Sequence, residues 1–142
     1  LRGELMIYTA DITVPANTAE GSETQQLIKI SNGVIHKLDI LFPPGCAGLV
    51  KVGLFFEGHP LFPSTAGMTF RGDGETVSFP EFVRVKNAPR IIIVKASNTD
   101  DTYAHTISVR IGVLPEEAFI PLIFQKGITN AISYLVQARP KS

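Results

Sequence analysis

The side chains best suited to catalysis or metal binding are three histidines and one cysteine: His36, His59, His105 and Cys46. A serine or cysteine nucleophile needs a base and an orienting group beside it, and zinc sites need several ligands held close together. The histidines lie in separate predicted strands and turns, without H-x-H, H-x₃-H or G-x-S-x-G spacing. We therefore predict no catalytic residue, no metal ligand and no cofactor, with Cys46 as a small buried residue in a tight loop.

Two loops rich in oxygen atoms and glycine could hold an ion. Asn98, Asp100 and Asp101 resemble a calcium loop, but the acidic residue that closes a twelve-residue EF-hand is missing. The segment Gly72 to Glu75 lacks the lysine and the following helix of a phosphate-binding loop. Solvated turns are the simpler prediction. A carbohydrate site on carboxylates or aromatic rings stays open, although the chain has no tryptophan.

The composition predicts a domain with more apolar surface than it can cover. Charged residues make up 18% of the 142 residues, against ~25% in average globular domains, while apolar residues make up 44%. The formal net charge of zero argues against specific nucleic-acid binding. A single cysteine excludes an intrachain disulfide. No apolar stretch has the length that spans a bilayer, and the first residues lack a signal-peptide pattern.

Alternation of apolar and polar residues predicts seven or eight short strands between turn signals. The predicted strands are Leu5–Val14, Gln25–Ile30, Val34–Phe42, Leu49–Phe56, Ile91–Ala96 and Thr102–Leu114, with two shorter ones, Thr76–Phe79 and Phe82–Val85, separated by Pro80. The pair Asn32-Gly33 predicts a tight hairpin, and residues 57–60 predict a turn. Connections this short exclude crossover helices. We predict an all-β, antiparallel β-sandwich or jelly-roll-like domain over residues 1–117.

One predicted strand is apolar on both faces. In Leu49–Phe56, Val50, Val52 and Leu54 alternate with Leu49 and Phe55. Such a strand is covered on both sides, which predicts a central strand or one whose second face meets another subunit. The long irregular connection over residues 63–74 is predicted to be functional or to pack against a neighbour.

The segment 118–142 differs in character from the rest of the chain. It carries three basic residues and no acid, and Ile128, Ala131, Ile132, Leu135 and Val136 have helical spacing. We predict a short C-terminal helical or arm segment that packs on its own domain or on other copies, with weak membrane contact as a third possibility. The predicted interface residues are Phe119, Ile120, Leu122, Ile123, Phe124, Ile128, Ile132, Leu135 and Val136.

Three stretches of the sequence resemble a known group of proteins. FPPGCAGLVKVGLFFEGHPLFP, GDGETVSFPEF and NTDDTYAHTISVRIGVLPEE are similar to small structural proteins encoded beside the head genes of tailed phages. The overall plan over residues 8–117 resembles capsid decoration proteins. This resemblance implies a non-enzymatic, β-rich oligomer, a trimer, that binds a major capsid or other assembly protein at the surface of the virion and stiffens the shell.

The sequence therefore supports several hypotheses. The first is a non-enzymatic structural protein of a virion or similar particle, which forms a homo-oligomer and stabilises a larger shell. The alternatives are a carbohydrate- or surface-binding β-sandwich module and a subunit of an extracellular filament. In the filament, the N-terminal strand or the C-terminal segment would add to the sheet edge of a neighbour.

Overall fold

The computed structural model describes residues 5–115, which form eight antiparallel strands in two sheets. The strands are β1 (Met6–Val14), β2 (Thr24–Lys29), β3 (Gly33–Phe42), β4 (Val50–Phe56), β5 (His59–Phe62), β6 (Glu75–Val85), β7 (Ile91–Asn98) and β8 (His105–Leu114). The first sheet has the order β1-β8-β3-β6 and the second the order β2-β7-β4-β5. This order of eight strands in two sheets is that of a jelly roll, so the predicted all-β sandwich is confirmed.

The core lies between the two sheets and is built from the inward side chains of each strand. The alternation predicted for the last strand is confirmed, because Ile107, Val109, Ile111 and Val113 are all buried. The first sheet also contributes Leu38, Ile40 and Phe42, and the second Val52, Leu54, Ile92 and Val94. Burying each such side chain contributes roughly 1.5–3 kcal/mol, which makes this layer the main source of stability.

The strand that is apolar on both faces is central, as predicted. β4 pairs with β7 on one side and with β5 on the other. Val50, Val52 and Leu54 point into the core, whereas Lys51, Gly53 and Phe55 lie on the outer face of the sheet. Phe55 is half-buried there, and the side chain of Lys95 covers its ring.

Three local predictions were wrong. Residues 59–62 form the short strand β5 rather than the end of a turn. β6 runs unbroken through Pro80, because β6 is an edge strand within residues 5–115 and a proline there removes no bond to a second neighbour. Asn32-Gly33 does not form a hairpin, since β2 and β3 belong to different sheets. Gly33 instead allows a close strand approach, because a Cβ built there would lie 2.4 Å from the carbonyl oxygen of Leu114.

Polar side chains on the outer face of the first sheet bond to one another across strands. Thr13 and Thr106 share a hydrogen bond of 2.9 Å, and the Ser108 hydroxyl donates to Asp11 over 2.7 Å. Ser78 donates to Asp39. These side chains therefore serve as hydrogen-bond partners for one another.

The boundary of the predicted C-terminal segment falls at the end of the described part. Residues 118–142, and with them all nine predicted interface residues, lie outside the described residues. Within the described residues, the strands of residues 6–114 form both sheets and the core between them.

Candidate functional site

The three histidines and the cysteine occupy separate places in the jelly roll. His59 is exposed at the start of β5, and His36 lies at a β-bulge between Ile35 and Lys37 in β3. The Nε2 atom of His105 lies 2.8 Å from Oδ2 of Asp100. Within residues 5–115, no group of three or more His, Cys, Asp or Glu side chains could hold a metal ion. The three histidines and Cys46 are thus not assembled into one site.

Cys46 is fully buried in the loop between β3 and β4. Burial raises the pKa of its thiol, and the negative charge of Asp73 raises it further. An activated nucleophilic cysteine needs a lowered pKa and a partly exposed position. The environment of Cys46 therefore favours the neutral thiol packed as a small apolar side chain.

The oxygen-rich turn between β7 and β8 uses its polar atoms to hold the chain together. The Asn98 side chain is buried and bonds to several backbone groups. The Asp100 carboxylate accepts hydrogen bonds from the backbone N–H groups of Thr102 and Tyr103 and contacts His105. The His105 contact, followed by these two backbone bonds, lowers the pKa of Asp100. The segment forms a turn, as predicted, and its polar side chains position the start of β8.

His36 makes the unfolding equilibrium depend on pH. Its Nε2 atom is buried without a hydrogen-bond partner in the described residues, and burial, followed by the charge of Lys37, lowers its pKa. The unfolded chain therefore binds the proton more tightly than the folded chain. We expect the free energy of unfolding to fall as the pH is lowered below ~6.5, the ordinary histidine pKa, toward the lower folded-state value.

Denaturant titrations between pH 8 and pH 5 measure this dependence. In the His36→Gln variant the slope over this range becomes shallower, whereas it is unchanged in His59→Gln, which alters an exposed histidine of the same chain. Equal slopes in the wild type and in His36→Gln would show that His36 does not carry the effect.

A cavity of about 390 Å³ lies on the outer face of the second sheet. β4 and β7 form its base, and β5 and the loop that follows β5 form its wall. The residues that face it combine apolar side chains, Phe55, Pro60 and Met68, with the cations Lys51, Arg71 and Lys95. This is where the long connection over residues 63–74 lies, so part of that connection packs against its own sheet. This site was not predicted from the sequence. The signal that could have indicated it is the alternation of β4, which places Lys51, Gly53 and Phe55 on the same outer face.

Exposed apolar side chains are concentrated at the edge of the sandwich where β1 and β2, each an edge strand of its sheet within residues 5–115, lie beside each other. Leu5, Met6, Ile7 and Leu27 are 43–59% exposed, and they are four of the seven large apolar side chains exposed within residues 5–115. Leu5 to Ile7 are consecutive in the sequence. Ile7 lies on the outer face of the first sheet and Leu27 on the outer face of the second, so the four side chains lie on both faces of this edge. Isolated exposed apolar residues are common, but four at one edge are typical of a contact surface. We refer to these four residues as the β1/β2 patch.

Comparisons with known proteins give little further information. No protein-family model matches the chain, and no curated protein matches it. Among solved structures, the chain is similar to one described under "Bacillus endospore appendages form a novel family of disulfide-linked pili", with 18% sequence identity and a TM-score of 0.41. The match covers 79% of this chain and 89% of that chain. A TM-score this low indicates neither function nor mode of assembly.

Within residues 5–115, no helix has the length and apolar character required to cross a membrane.

Proposed function

We propose that this protein is a structural subunit that associates with other copies of itself, in an extracellular filament or on the surface of a particle. The observation that carries the proposal is the β1/β2 patch, which places four large exposed apolar side chains at one edge of the sandwich. Removing such a surface from water contributes ~25 cal/mol per Å², and an ordinary stable interface buries ~800 Å² per partner.

The edge strands β1 and β2 are the less protected of the four sheet edges within residues 5–115, and β2 bonds only to β7 and contains no proline. Within residues 5–115, β1 bonds only to β8, and it is nine residues long without proline. β6 carries Pro80 and Glu81, and β5 has four residues including Pro60. Prolines, charges and short strands are the usual means of preventing association at a sheet edge. Their near absence from β1 supports strand addition by a second copy.

The C-terminal sequence supports the same function independently. Residues 118–142 are rich in apolar residues and contain no acid, while the eight strands described within residues 5–115 form two sheets with a core between them. The nine predicted interface residues of this segment remain a proposal, as do the virion location, the capsid partner and the trimer. An enzymatic function receives no support from the dispersed histidines and the buried thiol.

Charges introduced into the β1/β2 patch are expected to weaken self-association. The double variant Ile7→Glu and Leu27→Glu replaces two exposed apolar side chains, so the fold is retained while the contact would bury two charges. We expect the dissociation constant of the self-associated full chain, measured by sedimentation, to rise at least ~100-fold. Each ~1.4 kcal/mol of binding free energy that is lost raises this constant roughly tenfold.

The matched control is Tyr103→Glu, which removes an exposed aromatic side chain from the turn between β7 and β8. It leaves the dissociation constant unchanged.

A second double variant, Leu122→Glu with Leu135→Glu, measures the contribution of the C-terminal segment. A wild-type chain that stays monomeric at high concentration would contradict the proposed function. Electron microscopy then separates open filaments from closed oligomers such as the predicted trimer.

A further inference from the structure

A glycine, Gly53, lies at the base of the cavity on the outer face of the second sheet. Gly53 lies at the centre of β4, and a Cβ built there would lie 3.2 Å from the Phe55 ring and 3.9 Å from the carbonyl oxygen of Phe62. Its neighbour across the sheet is Lys95 of β7. A larger residue at position 53 would occupy the space that this cavity leaves open.

The wall opposite Gly53 is held by backbone hydrogen bonds. The Val52 N–H donates to the Phe70 carbonyl over 3.0 Å, and the Phe70 N–H donates to the Val52 carbonyl over 2.8 Å. This antiparallel pair places Thr69 opposite Gly53. It also places Arg71 opposite Lys51, so two cations face each other across the pair. Like charges in this position repel unless an anion lies between them or beside them.

The acids of the cavity neutralise part of this charge. Glu20 lies 2.6 Å from the Nζ atom of Lys51. Glu23 accepts a hydrogen bond of 3.0 Å from the Gly21 N–H, and this bond is the main cause of its lowered pKa, with a smaller effect of Lys95. The lining thus contains three cations and two carboxylates.

Two of the cations remain available to a ligand. The ammonium group of Lys95 lies 4.7 Å from the centre of the Phe55 ring, which holds it at the edge of the cavity. Arg71 is exposed, and its guanidinium forms no ion pair with another residue of the described range 5–115. Beside these charges lie the apolar side chains of Pro60 and Met68.

We propose that this cavity binds a small organic anion that has an apolar body and a carboxylate. The carboxylate would lie above Gly53, within reach of Arg71 and Lys95, because a guanidinium and an ammonium group bind carboxylates with charge-assisted hydrogen bonds. The apolar body would pack on Phe55 and Met68. A volume of about 390 Å³ is within the range of ~300–1,000 Å³ typical of small-molecule sites.

The test uses three aromatic probes of the same shape with the full chain: phenylacetate, the neutral phenylacetamide and the cationic phenethylamine. Binding is followed by NMR chemical-shift changes at millimolar probe concentrations, since ligands of about ten heavy atoms bind weakly. We expect phenylacetate to bind at least ~10-fold more tightly than phenylacetamide, and phenethylamine more weakly still.

Two variants place the binding at this cavity. Gly53→Val fills the base and Arg71→Gln removes an exposed charge, and each is expected to weaken phenylacetate binding at least ~10-fold. Lys86→Gln, which removes an exposed cation outside the cavity, leaves binding unchanged. Thermal melting confirms that each variant is folded, and Arg71→Gln remains informative if Gly53→Val does not fold. Equal affinity for phenylacetate and phenylacetamide, unchanged binding by Arg71→Gln, or no binding of any probe would overturn the proposal.

Discussion

Replacing Asn98 with alanine is expected to lower the free energy of unfolding by ~3 kcal/mol. The side chain is 1% exposed, and its amide group donates to the carbonyl oxygens of Val14, Pro15 and Tyr103 at 3.2, 3.3 and 3.0 Å. Its oxygen accepts a hydrogen bond of 2.9 Å from the Asp100 N–H. Alanine leaves these backbone groups without their partner, and a buried polar group without a hydrogen bond costs ~1–3 kcal/mol.

The size of this effect follows from what Asn98 connects. The residue ends β7, and its amide joins the end of β1 to the turn that precedes β8, so it links strands of both sheets. Equilibrium denaturation with urea measures the change. The control is Thr99→Ala, which removes a single exposed hydroxyl bond of 3.3 Å to Leu49 and is expected to cost less than ~1 kcal/mol. A similar loss in both variants would contradict the central role of Asn98.

Replacing Gly33 with alanine is expected to destabilise the protein by about 3 kcal/mol, at the upper end of the range for overpacking. The added Cβ would lie 2.4 Å from the Leu114 carbonyl oxygen and 2.9 Å from Cγ1 of Val113. The first contact is with the backbone of β8, so a side-chain rotation cannot relieve it. β3 and β8 have to separate locally, which weakens the centre of the first sheet.

Gly58→Ala is the matched control for this change. Gly58 has a positive φ of 79°, but a Cβ there would meet no atom within 4 Å. Gly58→Ala is therefore expected to lower the free energy of unfolding by about 1 kcal/mol, through backbone strain alone. If Gly33→Ala is no more destabilising than Gly58→Ala in the same urea titration, the close approach of β3 and β8 is not a source of strain.

The pattern within each strand was readable from the sequence because it is local. Ile107 to Val113 alternate with polar residues, and the burial of this set follows from the two-residue period of a strand. The central place of Leu49–Phe56 was predicted from its two apolar faces. In contrast, β5 was missed because four residues with one proline carry too little periodicity. The hairpin predicted at Asn32-Gly33 was wrong because a local turn signal does not determine the sheet to which each neighbouring strand belongs.

Both proposed surfaces depend on pairings that the sequence does not encode locally. The cavity joins Lys51, Arg71 and Lys95, which lie on β4, on the loop after β5 and on β7. The β1/β2 patch joins Leu27 to Leu5, Met6 and Ile7 because the jelly roll places β1 and β2 at the same side. No spacing along the chain predicts either group.

The sequence by itself determined the all-β class, the inward face of most strands and the low supply of surface charge. These properties follow from side-chain chemistry and from the two-residue period of the extended chain. Only the tertiary structure decided the strand order, the position of β1 at a sheet edge within residues 5–115, and the grouping of Lys51, Arg71 and Lys95 around the cavity. The physical reason is that strand pairing in a jelly roll joins segments far apart in the chain, so its outer surfaces exist only once both sheets have formed.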